Sequence, residues 1–290
     1  MMVISGKTQV CGVIGDPIEH TLSPTIHNAA FSHLGLNFVF LAFHVKTADL
    51  ENAIQGMRGL GIHGLNVTMP HKNKVITYLD ELDEAVKFLG SANTILNKTG
   101  KLSGFNTDGK GALKALRENG VKLSKKKVLL LGAGGAAKAI AYSLGREVGE
   151  LVVLNRAAEK AQELAERLTK TLGKKVVGGS LSLDTVAENL PVSDVLINAT
   201  SVGMNPDADQ SIVAPRLLRS DLTVMDIVYN PVETKLAKDA KAAGANLVNG
   251  VEMLIYQGAA SFEIWTGHMA PIEVMRKAAL NKLSCTGECR

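Results

Sequence analysis

The chain has 290 residues, 46% hydrophobic and 21% charged, with 32 basic against 28 acidic side chains. That is globular composition with length for two domains of ordinary size, and the positive surplus is too small and dispersed to argue for a nucleic-acid partner, so none is expected. No apolar run reaches the length of a membrane span, and the first ten residues lack the core of a signal peptide, so a cytoplasmic protein without a membrane partner is expected.

In chain order, short apolar strands alternate with helical patterns, the rhythm of an α/β protein. Strands fit VCGVIG (10–15), FVFLAFHV (38–45) and GLNVTM (64–69), with a hairpin through NTILNKTGKLSGFN (93–106). Helices fit from Pro24 to about Leu34 and from Ala48 to about Leu60, and another opens in TDGKGALKALRENG (107–120), a candidate hinge. A second series of strands follows at KVLLLGAGG (127–135), ELVVLNR (150–156), SDVLINAT (193–200) and TVMDIVY (223–229). Helices fall between them, including one from about Ala157 to Leu172, and the chain closes with two helices and no further strand. Many glycines and few aromatics suit helices packed closely on parallel sheets better than a β-sandwich.

The strongest local pattern is a continuous apolar strand that runs into Gly132-Ala133-Gly134-Gly135-Ala136 and then a helix. This is the strand–turn–helix fingerprint of a dinucleotide site. The glycines permit the tight turn and let backbone N–H groups approach a pyrophosphate, whose charge the helix N-terminus favours. Where a protein selective for NAD carries an acid at the end of the second strand, this one carries Asn155 and Arg156, with Lys160 one turn into the helix. A guanidinium there makes charge-assisted bonds to a 2′-phosphate, so the expected cofactor is NADP.

Small polar clusters lie at strand ends of the first domain: Thr21 and Ser23 before a helix, Asn66, Thr68 and Lys72 around Pro70, then Asn93, Thr107 and Asp108. Hydroxyls, amides, an ammonium and a carboxylate suit a polyhydroxylated ligand with an acid group. Oxidising an alcohol needs a base for the hydroxyl proton, and no tyrosine–lysine pair is placed for that task; Lys72 and Asp108 are the candidate pair. From spacing alone they read equally as a structural salt bridge. His20, His27 and His71 read as structural or rim residues. No cluster of His, Cys, Asp and Glu points to a metal, Cys11 reads as a small buried residue, and Cys285 and Cys289 read as free thiols.

Taken together, GDPIEHTLSPTIHNAAF, NVTMPHK, GSANTI, GFNTDG, LLGAGGAAKAI, NRAAEKA, NATSVGM and NGVEMLIYQGAASF resemble the shikimate dehydrogenase family, in order and spacing, over almost the whole chain. The resemblance implies reversible, NADP-linked reduction of 3-dehydroshikimate to shikimate, a step toward aromatic amino acids. It implies two α/β domains: a substrate-binding domain over residues 1–108 and 251–290, to which the C-terminal helices return, and a Rossmann-type cofactor domain over 109–250. It makes Lys72 the catalytic lysine with Asp108 its partner, and places Thr21 and Ser23 at the substrate carboxylate. Thr68, Asn93, Tyr229 and Gln257 would contact the ring hydroxyls or frame the site. Gly132 to Ala136, Asn155, Arg156 and Lys160 match the cofactor segments, Ile227, Gly250 and Met253 the nicotinamide end, and Glu84 a further cofactor-associated position. Thr21 stands where the family usually has serine, and Ala157 stands where threonine is common, which removes one hydroxyl from the 2′-phosphate site. A quinate or dual quinate/shikimate dehydrogenase using NAD is therefore the alternative, with a non-catalytic sensor on the same fold behind it. The expected partner is a small-molecule substrate, the expected assembly a monomer or homodimer.

Overall fold

The computed structural model describes the backbone of residues 4–287 and the side chains of 4–284. Cys289 and the side chain of Cys285 lie outside the described residues. By its contacts the chain falls into two units, one running up to Thr107 and resuming at Ile255, the other Asp108–Leu254. The division thus places Asp108 and residues 251–254 in the second unit, for two local reasons. Asp108 opens a helix packed within that unit, and Gly250 lies against the backbone of Ile227 and Val228.

The first unit contains β1 (Gln9–Gly15), α1 (Ser23–His33), β2 (Phe38–His44), α2 (Leu50–Gly59), β3 (Gly64–Val67), β4 (Glu81–Leu82), α3 (Glu84–Leu89), β5 (Thr94–Lys98) and β6 (Lys101–Phe105). The sheet order is β2-β1-β3-β5-β6-β4. β1 is parallel to β2 and β3, while β3, β5 and β6 pair antiparallel. The hairpin between β5 and β6 turns on Thr99 and Gly100, both at positive φ (52° and 90°), the backbone a two-residue hairpin loop requires. α2 buries Leu50, Ile54 and Met57, spaced four and three apart on one helical face, against Ile14, Leu65, Val67 and Ile95 of the sheet.

The second unit contains α4 (Asp108–Glu118), β7 (Lys127–Leu131), α5 (Gly135–Gly145), β8 (Glu150–Asn155), α6 (Ala158–Leu172), β9 (Val176–Ser180), α7 (Leu183–Asn189), β10 (Val195–Asn198), β11 (Thr223–Asp226), α8 (Lys235–Ala242) and β12 (Asn246–Val248). All its strands are parallel, in the order β12-β11-β10-β7-β8-β9. Strand order reverses between β7 and β10, the doubly wound arrangement whose crevice receives ligands at the carboxyl ends of the strands. β9 and β12 were not evident in the sequence. β9 carries Gly178, where a Cβ would lie 2.3 Å from the carbonyl oxygen of Ala161, so the glycine lets α6 sit on the strand. β12 is only three residues long.

α9 (Gly250–Thr266) and α10 (Ile272–Gly287) end the chain. From Ile255 onward they belong to the first unit, as the resemblance implied for the terminal helices. Gly258 of α9 faces Ile26 and His27 of α1 and Met275 of α10, and the indole of Trp265 donates to the carbonyl of Ile95 at 3.0 Å.

Candidate active site

In the first unit the polar residues gather at the ends of β1, β3 and β5. Ser23 is the first residue of α1, with Pro24 behind it, and Leu22 before it supplies no side-chain cap. In the first turn of α1 Ser23 N–H donates to Thr21 Oγ1 at 3.3 Å, Pro24 has no N–H and Ile26 N–H is bonded to Leu22 O. What this corner offers an anion is therefore chiefly its two hydroxyls, Thr21 Oγ1 lying 3.2 Å from Ser23 Oγ. Thr68 follows β3, its N–H bonded to Ile14 O at 2.9 Å and its methyl seated where a Cβ of Gly15 would stand. Lys72 is half-buried. Its carbonyl accepts from Ala92 N at 2.9 Å, which ties the lysine's backbone to the residue preceding Asn93. His71 fixes the same turn from inside, with Nε2 2.6 Å from Val45 O.

Asn93 is buried, and the structure brings it to Gln257 and to Thr107, the residue before Asp108. Asn93 Oδ1 accepts from Thr107 N at 2.8 Å, and its Nδ2 reaches Thr107 Oγ1 at 2.9 Å and Gln257 Oε1 at 3.5 Å. Glu84 stands apart from these residues on the first turn of α3, exposed and paired with Lys87 at 2.7 Å.

In the second unit Gly132 ends β7 at φ +110°, and a Cβ there would lie 2.7 Å from Ala199 O at the end of β10. Only glycine meets both demands. Beside Gly134 and Gly135 a Cβ would meet nothing within 4 Å, and Gly134 caps α5 with no side chain. The turn thus presents uncapped N–H groups to open space, which fits a pyrophosphate. The space is a cleft of about 610 Å³ lined by Gly132 to Gly134, Asn155, Arg156, Leu181 to Leu183 and Ala199 to Val202, with Asp207, Gln210 and Ile212. This cleft, the turn and the Arg156 side chain that lines it fit a dinucleotide phosphate; Lys160, in the first turn of α6, is not part of the lining. Asn155 is committed to the scaffold: its Oδ1 accepts from Ala133 N and its Nδ2 donates to Ala157 O at 3.0 Å.

Gly250, predicted for the nicotinamide end, is brought to Ile227: its Cβ would stand 2.6 Å from the Ile227 and Val228 carbonyl oxygens. Burial pushes the Tyr229 phenol above its ordinary range. Asp226, just before them, is a residue the sequence reading missed. Its buried carboxylate accepts from Asn198 Nδ2 at 2.9 Å, Val228 N at 3.2 Å and Thr234 Oγ1 at 2.6 Å, so it joins the chain after β10 to that after β11. Burial pushes this carboxyl up, against the three hydrogen bonds that hold it down. The wall from Ala199 to Val202 was also missed as a lining, although NATSVGM marked the segment.

A parallel sheet of this order, with a glycine turn feeding an uncapped helix, defines a Rossmann-type dinucleotide-binding protein with a separate α/β unit of polar strand ends. Three family models match the chain: the shikimate dehydrogenase substrate binding domain over residues 13–95, shikimate / quinate 5-dehydrogenase over 114–241, and the shikimate 5′-dehydrogenase C-terminal domain over 250–280. A protein of Thermococcus kodakarensis named shikimate dehydrogenase (NADP(+)) is 49% identical over 278 residues, 96% of this chain and 98% of that one. A crystal structure of a shikimate dehydrogenase in complex with NADP+ aligns with a TM-score of 0.90 at 44% identity, covering 97% of this chain and 98% of the other. The shikimate 5-dehydrogenase of Listeria monocytogenes in complex with shikimate and NAD aligns with a TM-score of 0.90 at 36% identity, covering 94% and 97%. The chain belongs to the shikimate dehydrogenase family.

Proposed function

We propose that this protein is an NADP-dependent shikimate dehydrogenase that interconverts 3-dehydroshikimate and shikimate. The carrying observation is the 49% identity to a relative of that name, which spans both units rather than the cofactor domain alone. Bound NADP supplies the acceptor for the hydride that leaves the alcohol carbon, and NADPH the donor in reverse.

The chain supplies binding, orientation and proton transfer. Thr21 and Ser23, at the first turn of α1, hold the substrate carboxylate. Thr68, Asn93 and Gln257 accept and donate to the ring hydroxyls, with Tyr229 framing the site. Lys72 Nζ takes the hydroxyl proton as the alcohol is oxidised and returns it when the ketone is reduced. Asp108, a carboxylate at the N-terminus of α4 where the helix dipole favours it, orients that ammonium. For the cofactor, Gly132 to Ala136 receive the pyrophosphate, and Arg156 and Lys160 the 2′-phosphate. Asn155 holds the turn that does so; Ile227, Gly250 and Met253 line the nicotinamide, and Glu84 is the further cofactor-associated position.

Among the described residues no helix is long and apolar enough to cross a membrane. The enzyme works in the cytoplasm on a small-molecule substrate, as a monomer or homodimer, which sedimentation velocity distinguishes.

One observation favours a second reading, a quinate or dual enzyme using NAD: Ala157 caps α6 without a hydroxyl. Specificity constants for shikimate and quinate, each with NADP and NAD, separate the two. Preference for shikimate with NADP is expected. A higher constant for quinate or for NAD establishes the second.

A further inference from the structure

Behind the substrate residues of the first unit lies a buried polar network that none of the steps above uses. Asn66 on β3, Thr94 on β5 and Ser261 on α9 are all buried. Asn66 Nδ2 stands 3.1 Å from Asn93 O, 3.2 Å from Thr94 Oγ1 and 3.1 Å from Ser261 Oγ. Thr94 Oγ1 donates to Asn93 Oδ1 at 3.0 Å and lies 2.8 Å from Ser261 Oγ. Ser261 Oγ donates to Gln257 O at 3.1 Å and lies 3.3 Å from Thr107 Oγ1. Three segments far apart in sequence thus converge on the amide of Asn93 and the backbone of Gln257.

The network has a direction. An amide NH2 can only donate, and its two hydrogens serve three neighbours; Thr94 Oγ1 can accept one of them while its own proton reaches Asn93 Oδ1 at 3.0 Å, with Ser261 Oγ at 2.8 Å on its other side. Thr107 N–H also points at Asn93 Oδ1. Asn93 cannot flip its amide without setting its NH2 against the fixed Thr107 N–H and forcing the Thr94 hydroxyl to turn from donor to acceptor, a loss that burial makes costly. Its Nδ2 is therefore committed to the side of Thr107 Oγ1 and Gln257 Oε1, and the polarity of Gln257 follows.

We infer that Asn66, Thr94 and Ser261 are positioning residues: without touching substrate, they fix which atoms of Asn93 and Gln257 donate and which accept, and so set the enzyme's affinity for its polyhydroxylated acid. This rests on the reading that Asn93 and Gln257 contact the ring hydroxyls.

The test compares Thr94→Val, which keeps shape and removes the hydroxyl, with Thr94→Ser, which keeps the hydroxyl. Ser261→Ala is the second variant should Thr94→Val fail to fold, and Asn93→Ala is the direct-contact control. Shikimate affinity is read by calorimetry without cofactor, alongside KM for shikimate and for NADP. The expected result is a roughly 3- to 10-fold weaker Kd and higher KM for shikimate in Thr94→Val and Ser261→Ala, with KM for NADP unmoved and Thr94→Ser close to the parent. Parent-like shikimate binding in Thr94→Val and Ser261→Ala, while Asn93→Ala binds weakly, overturns the inference and leaves the substrate contacts standing. Equal damage in Thr94→Ser overturns it in favour of simple packing. Unchanged affinity in Asn93→Ala overturns the contact reading and the inference with it.

Discussion

Asn155 Oδ1 accepts from the backbone N–H of Ala133 at 3.2 Å, so the end of the second parallel strand is stitched to the glycine turn that ends the first. The other side of the same amide holds Ala157 O. Removing the side chain should loosen the turn proposed to receive the pyrophosphate. Asn155→Ala is expected to raise KM for NADP roughly 2- to 10-fold, the worth of about one net hydrogen bond, with KM for shikimate unmoved. Steady-state kinetics with each substrate varied in turn check this; an unchanged KM for NADP would mean the stitch does not matter to the cofactor.

Ala157 is the N-cap of a fifteen-residue helix and makes no side-chain cap bond. Alanine is a poor residue for that position, and a hydroxyl there accepts from the open N–H groups. Ala157→Thr should stabilise the fold by about 0.5–2 kcal/mol. It should also raise the preference for NADP over NAD by adding a donor beside the 2′-phosphate. Chemical denaturation and the ratio of specificity constants measure the two effects, and a ratio that stays flat refutes the second.

Lys72 is held by its backbone bond to Ala92 rather than by its side chain alone. Lys72→Ala should therefore leave the melting temperature near that of the parent while turnover falls by roughly 10²- to 10⁴-fold, the range for loss of a general acid–base group. Near-normal turnover in a folded variant would remove the lysine from the mechanism.

His27 gives a pH dependence. It is completely buried and stacked on Phe40 with centroids 4.5 Å apart; neither ring nitrogen makes a hydrogen bond. Burial pushes its pKa from the ordinary 6.5 down to about 3, against a smaller opposing pull from Asn66. The unfolded chain therefore takes up this proton first as pH falls. Stability is complete above about 6.5 and is lost progressively toward 3, at about 1.4 kcal/mol per pH unit. His27→Phe removes the titration from an aromatic cage that suits a phenyl ring. The variant should gain about 2 kcal/mol on the parent between pH 7 and pH 5, measured by urea unfolding. Parallel losses in both proteins would show that the ring accepts its proton in the folded state.

The local motifs were legible because each is complete within a few residues. KVLLL reads as a strand buried on both faces, Gly132 marks the turn, and the Thr99-Gly100 pair marks the hairpin. β9 was not legible, since two adjacent glycines erase the apolar pattern that Gly178 in fact serves by admitting α6. Asn155 reads as a cofactor residue from its place at the end of β8, and it does line the cleft. Its bonds to Ala133 and Ala157 add a scaffold role that depends on which way the side chain turns, and that no spacing shows. Asn66 was legible only as one of the polar residues around the end of β3, and Thr94 and Ser261 lie inside conspicuous motifs without anything in the sequence giving them a role. Isolated polar residues in strands and helices look like solvent-facing positions until the fold buries them together.

Gly109 sits one residue after Asp108, and a Cβ on it would come within 2.1 Å of Ala139 O on α5. Nothing larger than hydrogen fits, so the gap between α4 and α5 has one permitted width. The carboxylate at 108 is thereby registered to α5, the helix whose opening turn is proposed for the nucleotide. A single methyl at 109 would shift that register before it altered any group that takes part in the reaction.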